Sequence, residues 1–389
     1  MSRFDELVAE LCPTGVPLKA LGEIGSIVRG KRFVKADMID AGVPCIHYGE
    51  IYTKYGVAAT DSFSFVSHER ARSLRFAVPG DVILASAGET IKDIGKSVAW
   101  LGASPIAIHD ACYAFSSPLN PKFVSYFFAS RAFRDQIRQQ ISSSKISSIS
   151  TQAISRARIP VPPRAIQHEI VRVLDQFTQL DAELEAELEA RRLQYAHFRD
   201  QLVSKQSFAQ AQWRPLSAVT SIRTGMKPAT TSGHGEFAYI NAGNEPSGYL
   251  DSFNREGGTV TIPSRGQGSA GHVSFQSDRF WCGPLCYEVR SQSSGLMDRF
   301  LYHFLRNIQD ELVLLRKVGS IPAVNKGDLG KVLVPIAKIE DQRHIVEILD
   351  HFDTLVNDRS IGLPAELAAR RKQYEYYRDK LLTFEQDSA

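Results

Sequence analysis

Residues 187–202 read ELEARRLQYAHFRDQL, and residues 366–381 read ELAARRKQYEYYRDKL. Ten of the sixteen aligned positions are identical at a fixed offset of 179. Chance identity runs near about one position in twenty, and a shared helical bias in composition does not account for ten. Upstream, a second match runs at offset 175: Gln167, Ile170, Val171, Leu174, Asp175 and Phe177 answer Gln342, Ile345, Val346, Leu349, Asp350 and Phe352. Val161-Pro162 and Val334-Pro335 precede the two copies. The change of offset places four extra residues in the second copy, around Ser360-Ile361-Gly362-Leu363-Pro364. The chain is therefore a tandem duplication in which two dissimilar blocks alternate with two copies of one repeat.

Within the first copy, Ile170, Val173, Phe177, Leu180, Leu184, Leu188, Arg191, Tyr195, Phe198 and Leu202 step by three or four, the spacing of a coiled-coil seam. The pattern predicts one helix from Ile166 to Ser204, of about 40 residues and about 60 Å. The second copy repeats the seam through Ile345, Leu349, Phe352 and Val356, then Leu363, Leu367, Tyr374, Tyr377 and Leu381. Gly362 and Pro364 predict a break between its two parts. Proline before each helix suits an extended lead-in. Two such seams in one chain are expected to pair antiparallel with each other. The plainer alternative makes each helix one wall of an ordinary core.

The blocks between the repeats share organisation but little identity. Each opens with a short apolar segment and a basic turn, Ile27-Val28-Arg29-Gly30-Lys31-Arg32 and Ile222-Arg223-Thr224-Gly225-Met226-Lys227. Short β-type runs bounded by Gly, Pro and Asn follow, such as Pro44–Tyr48 and Phe237–Ile240. Each block closes on one predicted amphipathic helix, the first after Asn120-Pro121 and the second after Asp298. The fold class expected is α+β, a twisted β-sheet with helices in each globular block, plus the two long helices as an antiparallel coiled coil. The division by sequence is 1–158, 159–208, 209–331 and 332–389.

The length of 389 residues, 43% of them hydrophobic and 23% charged, sets aside a mainly disordered chain. The N-terminal Met1-Ser2-Arg3-Phe4-Asp5-Glu6 is too polar for a signal peptide, and no apolar run approaches about 18 residues, so a cytoplasmic protein is expected. With 46 Lys and Arg against 43 Asp and Glu, the net charge of +3 excludes a uniformly basic coat and leaves room for local basic faces. Five cysteines at irregular spacing make no disulfide framework. Cys282 with Cys286 reads as half a metal site without a second close pair. Cys45, His47, His109 and Cys112 would have to converge in space to make another.

Catalytic signatures are lacking. Gly95-Lys96-Ser97 would need glycine at position 90 to close a P-loop; that residue is Thr90, and Gly88 lies two positions too early. No Asn-Pro-Pro-aromatic tetrapeptide, nucleophile elbow or His-Glu-x-x-His motif is present. The glycine-rich run Pro263–His272 suits a flexible loop pressed against an uneven surface.

The element Gly362-Leu363-Pro364-Ala365-Glu366, followed by Ala369-Arg370-Arg371-Lys372-Gln373-Tyr374 and Tyr377-Arg378-Asp379, resembles the specificity (DNA-recognition) subunit of type I restriction-modification systems. The likeness extends over essentially the whole chain, through Val334-Pro335 to Asp350 and the entry Leu7–Gly25. The first repeat departs from it by lacking Gly-Leu-Pro-Ala-Glu. The resemblance implies that each block is a target recognition domain reading one half of a bipartite, asymmetric DNA site. It also implies that the helical repeats are a spacer on which two modification (methyltransferase) subunits and the restriction (motor and nuclease) subunits assemble. S-adenosylmethionine, ATP and Mg²⁺ are expected in those partners, and neither a cofactor nor a catalytic residue in this chain. Four added residues would lengthen a helix by about 6 Å, close to two base pairs at about 3.4 Å each.

Given that resemblance, DNA contacts are expected from Arg29, Lys31, Arg32, Lys35, His47, Tyr48, Tyr52, Lys54, Lys92, Lys96, Ser143 and Lys145 in the first block. Those of the second are Arg223, Lys227, Asn241, Asn244, Ser264, Arg265, Gln267, Ser269, His272 and Lys326, with Lys317 and Asn325 beside them. Cations and hydroxyls suit phosphate, while bidentate groups suit base edges. Clustered Lys and Arg equally suit a solvated face, and the tyrosines equally suit packing at a sheet edge. A protein-only scaffold built on the coiled coil is the competing reading.

Overall fold

The computed structural model describes residues 3–142, 147–229, 235–317, 319, 321–358 and 360–385. The chain divides into two compact units, Met1–Glu183 with Leu367–Ala389, and Leu184–Glu366. Each repeat is thus split, giving part of its helix to each unit.

In the first unit two five-stranded sheets face each other. One runs Ser26–Arg29, Cys112–Ser116, Val82–Ala85, Ser97–Trp100, Ala58–Ala59; the other runs Met38–Ile39, Ser64–Val66, Val43–Ile46, Ile106–Ile108, Arg75–Ala77. The strand Val82–Ala85 is buried on both faces. Period-two alternation sends Ile83 and Ala85 to a core shared with Ile46, Ile106 and Ile108, and sends Val82 and Leu84 to one shared with Phe123 and Phe127. A single sheet was expected from the run pattern. A central strand that is apolar throughout is what a second covering layer requires.

The second unit follows the same plan in fewer strands. Thr220–Thr224, Cys286–Ser291, Thr259–Pro263 and Ser274–Gln276 form one sheet, and Tyr249–Leu250, Phe237–Ile240 and Phe280–Cys282 the other.

The closing helix of each block is two helices rather than one. Pro121–Ala129 begins under the side chain of Asn120, which accepts from the amides of Lys122 and Phe123. It ends at Ser130, whose hydroxyl donates back to the Phe127 carbonyl at 2.6 Å and caps the amide of Phe133, starting Arg131–Arg138. In the second unit Asp298–Asn307 is followed by Gln309–Leu314. Asp298 spends its carboxylate on the Ser291 amide rather than on capping its own helix.

The repeats form the helices expected. The first is Arg164–Val203; the second breaks into Ile339–Asn357 and Leu363–Leu381. At the break Asp358 accepts from the amides of Ser360 and Ile361. A Cβ on Gly362 would meet the carbonyl oxygens of Thr354, Leu355 and Asp358, so glycine is required there. Within the first unit the helices run antiparallel: Phe177 lies against Tyr374 and Tyr377, with ring centroids 6.3 and 5.5 Å apart, and Asp181 pairs with Arg371 at 3.2 Å. Leu180, placed in the seam by spacing, is 49% exposed, because that level is occupied by the Asp181–Arg371 pair. Within the second unit Tyr195 and Phe198 stack on Phe352.

Two residues matched between the repeats lock each block to its helix. Gln167 accepts from the Asn120 amide at 2.8 Å and donates to the Pro162 carbonyl at 2.8 Å. Gln342 accepts from the Met297 amide at 2.9 Å and donates to the carbonyls of Gly295 and Ala337 at 2.7 and 2.8 Å. Both glutamines are fully buried. Asp175 then receives Lys122 and the Tyr126 hydroxyl, while Asp350 receives Arg299 and His303, each at 2.6 Å. Replacing Gln342 by Leu strands three backbone groups and is expected to destabilise the chain by at least about 1–3 kcal/mol. Arg343→Ala, on the exposed side of the same turn, should stay within about 0.5 kcal/mol; denaturant unfolding followed by circular dichroism compares the two.

Candidate nucleic-acid interface

One backbone joint occurs in both units. Gly30 donates to the Cys112 carbonyl at 3.0 Å and Lys31 to that of Ile108 at 3.0 Å; Gly225 donates to Cys286 at 3.2 Å and Met226 to Cys282 at 2.9 Å. A Cβ on either glycine would run into carbonyl oxygens, those of Ile108 and His109 or those of Cys282 and Gly283. Beneath the joint, Ile46 pairs in parallel with Ile108, and Ile240 with Cys282. Residues 47 and 241 are therefore equivalent, as are 109 and 283, and the basic turns 29–35 and 223–227 cross at the same place.

In the first unit this place holds an aromatic cluster. The rings of His47 and His109 lie 4.4 Å apart; Tyr48 lies 4.4 Å from His47, and Tyr52 6.2 Å from Tyr48. Lys96 sits 5.5 Å over the Tyr52 ring and pairs with Asp93 at 2.9 Å. His47 begins the helix Tyr48–Thr53: its Nδ1 accepts from Gly49, and buried Glu50 accepts from its amide. His109 Nδ1 accepts from Ala111 at 3.0 Å. Burial pushes the His47 imidazole down to about 4, aided by His109 and Lys35 and opposed by Glu50 and Asp110. Burial also lowers His109, against the pull of Asp110 and with help from Arg32 and Arg29. Both rings are neutral at pH 7, with the cations of the turn 29–35 beside them.

The structure thus gathers Arg29, Arg32, Lys35, His47, Tyr48, Tyr52 and Lys96. It adds His109, whose place is signalled in sequence only by the shared four-residue spacing of Ile108 to Cys112 and Cys282 to Cys286. Arg29 is partly engaged, donating to the Asp110 carbonyl at 2.8 Å. Lys31 is exposed beside the joint. Lys54 belongs elsewhere: it pairs with Glu50 at 3.0 Å and lies 5.7 Å over Phe63. Lys92 is exposed in a groove that Arg134 and Arg138 also line. Ser143 and Lys145 lie outside the described residues.

In the second unit, Asn241 accepts from the Leu285 amide at 3.0 Å, Ser269 donates to the Ala242 carbonyl, and Ser264 is buried with its backbone bonded to Leu285 and Val324. Asn241 and Ser269 thus serve the loop backbone with the polar groups assigned to DNA, while Ser264 is held through its main chain. His272 is half-buried with Arg306 3.1 Å from its Nε2, and burial followed by Arg306 lowers its pKa. Arg223, Lys227, Asn244, Arg265, Gln267, Asn325 and Lys326 present exposed side chains. The Arg265 backbone is held by a bridge to Ala323. Lys317 pairs with Asp328 at 3.5 Å.

Among the described residues no three His, Cys, Asp or Glu side chains are placed to hold a metal ion. Burial pushes Cys45 up to about 12, the inert state of a core thiol. The segment that looked like a P-loop runs from the end of one strand through a single helical turn to the start of another, and in it Lys96 serves Asp93. No helix among the described residues is long and apolar enough to cross a membrane.

Four histidines, His47, His109, His272 and His303, are lowered by burial. An unfolded chain protonates such a group near pH 6.5 while the folded chain resists, so stability falls as pH drops below 6.5, for His47 down to about 4. His47→Gln should flatten that slope in denaturation midpoints between pH 7 and 4.5; an unchanged slope would place the titration elsewhere.

Comparison with known proteins supplies the family. The Type I restriction modification DNA specificity domain matches residues 13–191 and again 212–369. The Type I restriction enzyme EcoR124I/EcoR124II specificity subunit of Escherichia coli is 30% identical over 260 residues, 59% of this chain and 64% of that protein, so the match spans less than two thirds of that relative's length. The crystal structure of a Type-I restriction-modification system S subunit from M. genitalium superposes with a TM-score of 0.60 at 16% identity, over 94% of this chain and 96% of that one. A chain from a study of complex assembly and conformational transition of the type I R-M system gives 0.60 at 17% identity, over 96% and 98%. The twin joints, the split repeat helices and the doubled match place the chain in the family of type I restriction modification DNA specificity domains, of which it carries two copies in tandem.

Proposed function

We propose that this chain supplies the sequence specificity of a type I restriction-modification complex, each unit reading one half of a bipartite, asymmetric site on double-stranded DNA. One observation carries the reading: the two units repeat one backbone joint, bond for bond, and surround it with different side chains. Two neutral imidazoles, His47 and His109, stand in the first unit where Asn241 and Gly283 stand in the second, and Tyr48 lies beside both imidazoles. One scaffold in two chemistries suits a target of two unequal halves. Exposed Arg, Lys, Asn and Gln around each joint supply phosphate contacts and base readout.

The repeat helices set the gap between half-sites and dock two modification subunits, through which the restriction subunits join. Catalysis then belongs to the partners, which hold S-adenosylmethionine, ATP and Mg²⁺, and the assembly acts in the cytoplasm. The match to an E. coli specificity subunit and the fold shared with a chain from a type I assembly support this reading.

The test is to co-express the chain with its modification subunit and map methylated bases by single-molecule sequencing. A single bipartite motif is expected, and it should vanish on removal of residues 209–389. A stable complex without new methylation would overturn the reading in favour of a scaffold. Arg265→Ala is expected to weaken methylation at one half-site by about 1–3 kcal/mol, whereas Lys35→Ala should weaken binding evenly across sequences and lower the salt slope by about 1.

A further inference from the structure

We infer that the second unit contains a binding site for a phosphoryl oxyanion, in the cavity walled by Arg192, Arg199 and Arg306. The cavity is about 360 Å³ and lies where the repeat helices meet the helix Asp298–Asn307 and the end of the loop at His272. Its acidic lining is Asp353, already engaged by Arg299 at 3.0 Å and by Asn357 at 2.8 Å. Among the described residues, Arg199 and Arg306 have no carboxylate within ion-pair distance. Arg192 reaches only Glu189, at 3.9 Å across half-exposed surface. Arg306 abuts the neutral imidazole of His272 instead, and Arg199 lies 5.2 Å over the ring of Tyr195.

The repeat makes this imbalance specific to one unit. At the offset of 179, Arg192 and Arg199 correspond to Arg371 and Arg378. In the first unit those arginines meet Asp181 at 3.2 Å and Asp379 at 3.0 Å. At the offset of 175, the position of Asp181 is filled in the second unit by Val356, which lines the cavity. The arginines stay while Asp181 is replaced by an apolar wall, and Asp200, which answers Asp379, makes no ion pair with Arg199 among the described residues. Three guanidiniums around one cavity whose acidic lining is already engaged by Arg299 leave an excess of positive charge that an anion offsets. Guanidiniums are donors only, and their planar forks match phosphoryl oxygens in charge-assisted pairs. The same chemistry is offered by a backbone phosphate of DNA and by a free phosphate compound.

Calorimetric titration of the full chain with pyrophosphate in low salt distinguishes these sources without requiring DNA recognition. Saturable binding is expected, weakened at least fivefold by Arg199→Gln or Arg306→Gln and unaffected by Arg343→Gln. Arg192→Gln, at the exposed rim, repeats the test should the half-buried variants fold poorly. Binding should also raise the His272 pKa, read by histidine NMR, because the anion offsets the field of Arg306. If pyrophosphate does not bind but ethylation interference on target DNA finds a backbone phosphate whose contact Arg192→Gln erases, the oxyanion comes from DNA. Absence of both signals overturns the site and leaves the proposed DNA recognition untouched.

Discussion

A buried glutamine at the start of each repeat helix is the constraint on which the rest of each unit depends. Gln167 and Gln342 are sealed from water and bonded at both ends of their amides to backbone groups. A buried amide is costly unless satisfied, so each glutamine admits one arrangement of lead-in, closing helix and repeat helix. Asp175 and Asp350, two turns further on, repeat the constraint with charge. Because the anchors belong to the repeat, the blocks they hold are free to differ.

That freedom is spent at the rim. The cores are close-packed sheets whose central strands are buried on both faces, so few substitutions there are tolerated. The Gly30 and Gly225 joints are equally restricted, since any side chain would strike a carbonyl. The residues just beyond, 47 and 241, 109 and 283, are held in equivalent places by the same ladder, yet they are His, Asn, His and Gly. A rigid joint carrying variable tips keeps those tips in register while their chemistry changes.

Charge follows the same division of labour. The chain as a whole is nearly neutral, with a net charge of +3. Along the repeat helices much of the charge is paired, as in Asp181 with Arg371 and Arg191 with Glu187. Cations without such partners are found around the joints and in the arginine cavity of the second unit. Burial keeps the clustered histidines neutral, so the first rim offers uncharged donors and acceptors flanked by lysine and arginine.

The repeat, the two long helices, the break at Gly362 and the α+β class were legible in the sequence, because helical spacing and duplication are local patterns that survive without tertiary context. The basic turns were legible for the same reason. What tertiary structure decided was which candidates meet. The sheets bring His47 to His109 across 62 residues of chain, a convergence that no local pattern encodes. Conversely, Asn241 and Ser269 look in sequence like hydrogen-bonding loop residues free for a ligand, yet the fold turns them to the loop backbone, where they bond the Leu285 amide and the Ala242 carbonyl. Sequence sets the period and chemistry of each segment; only packing decides whether a polar side chain serves the backbone or remains available to a partner.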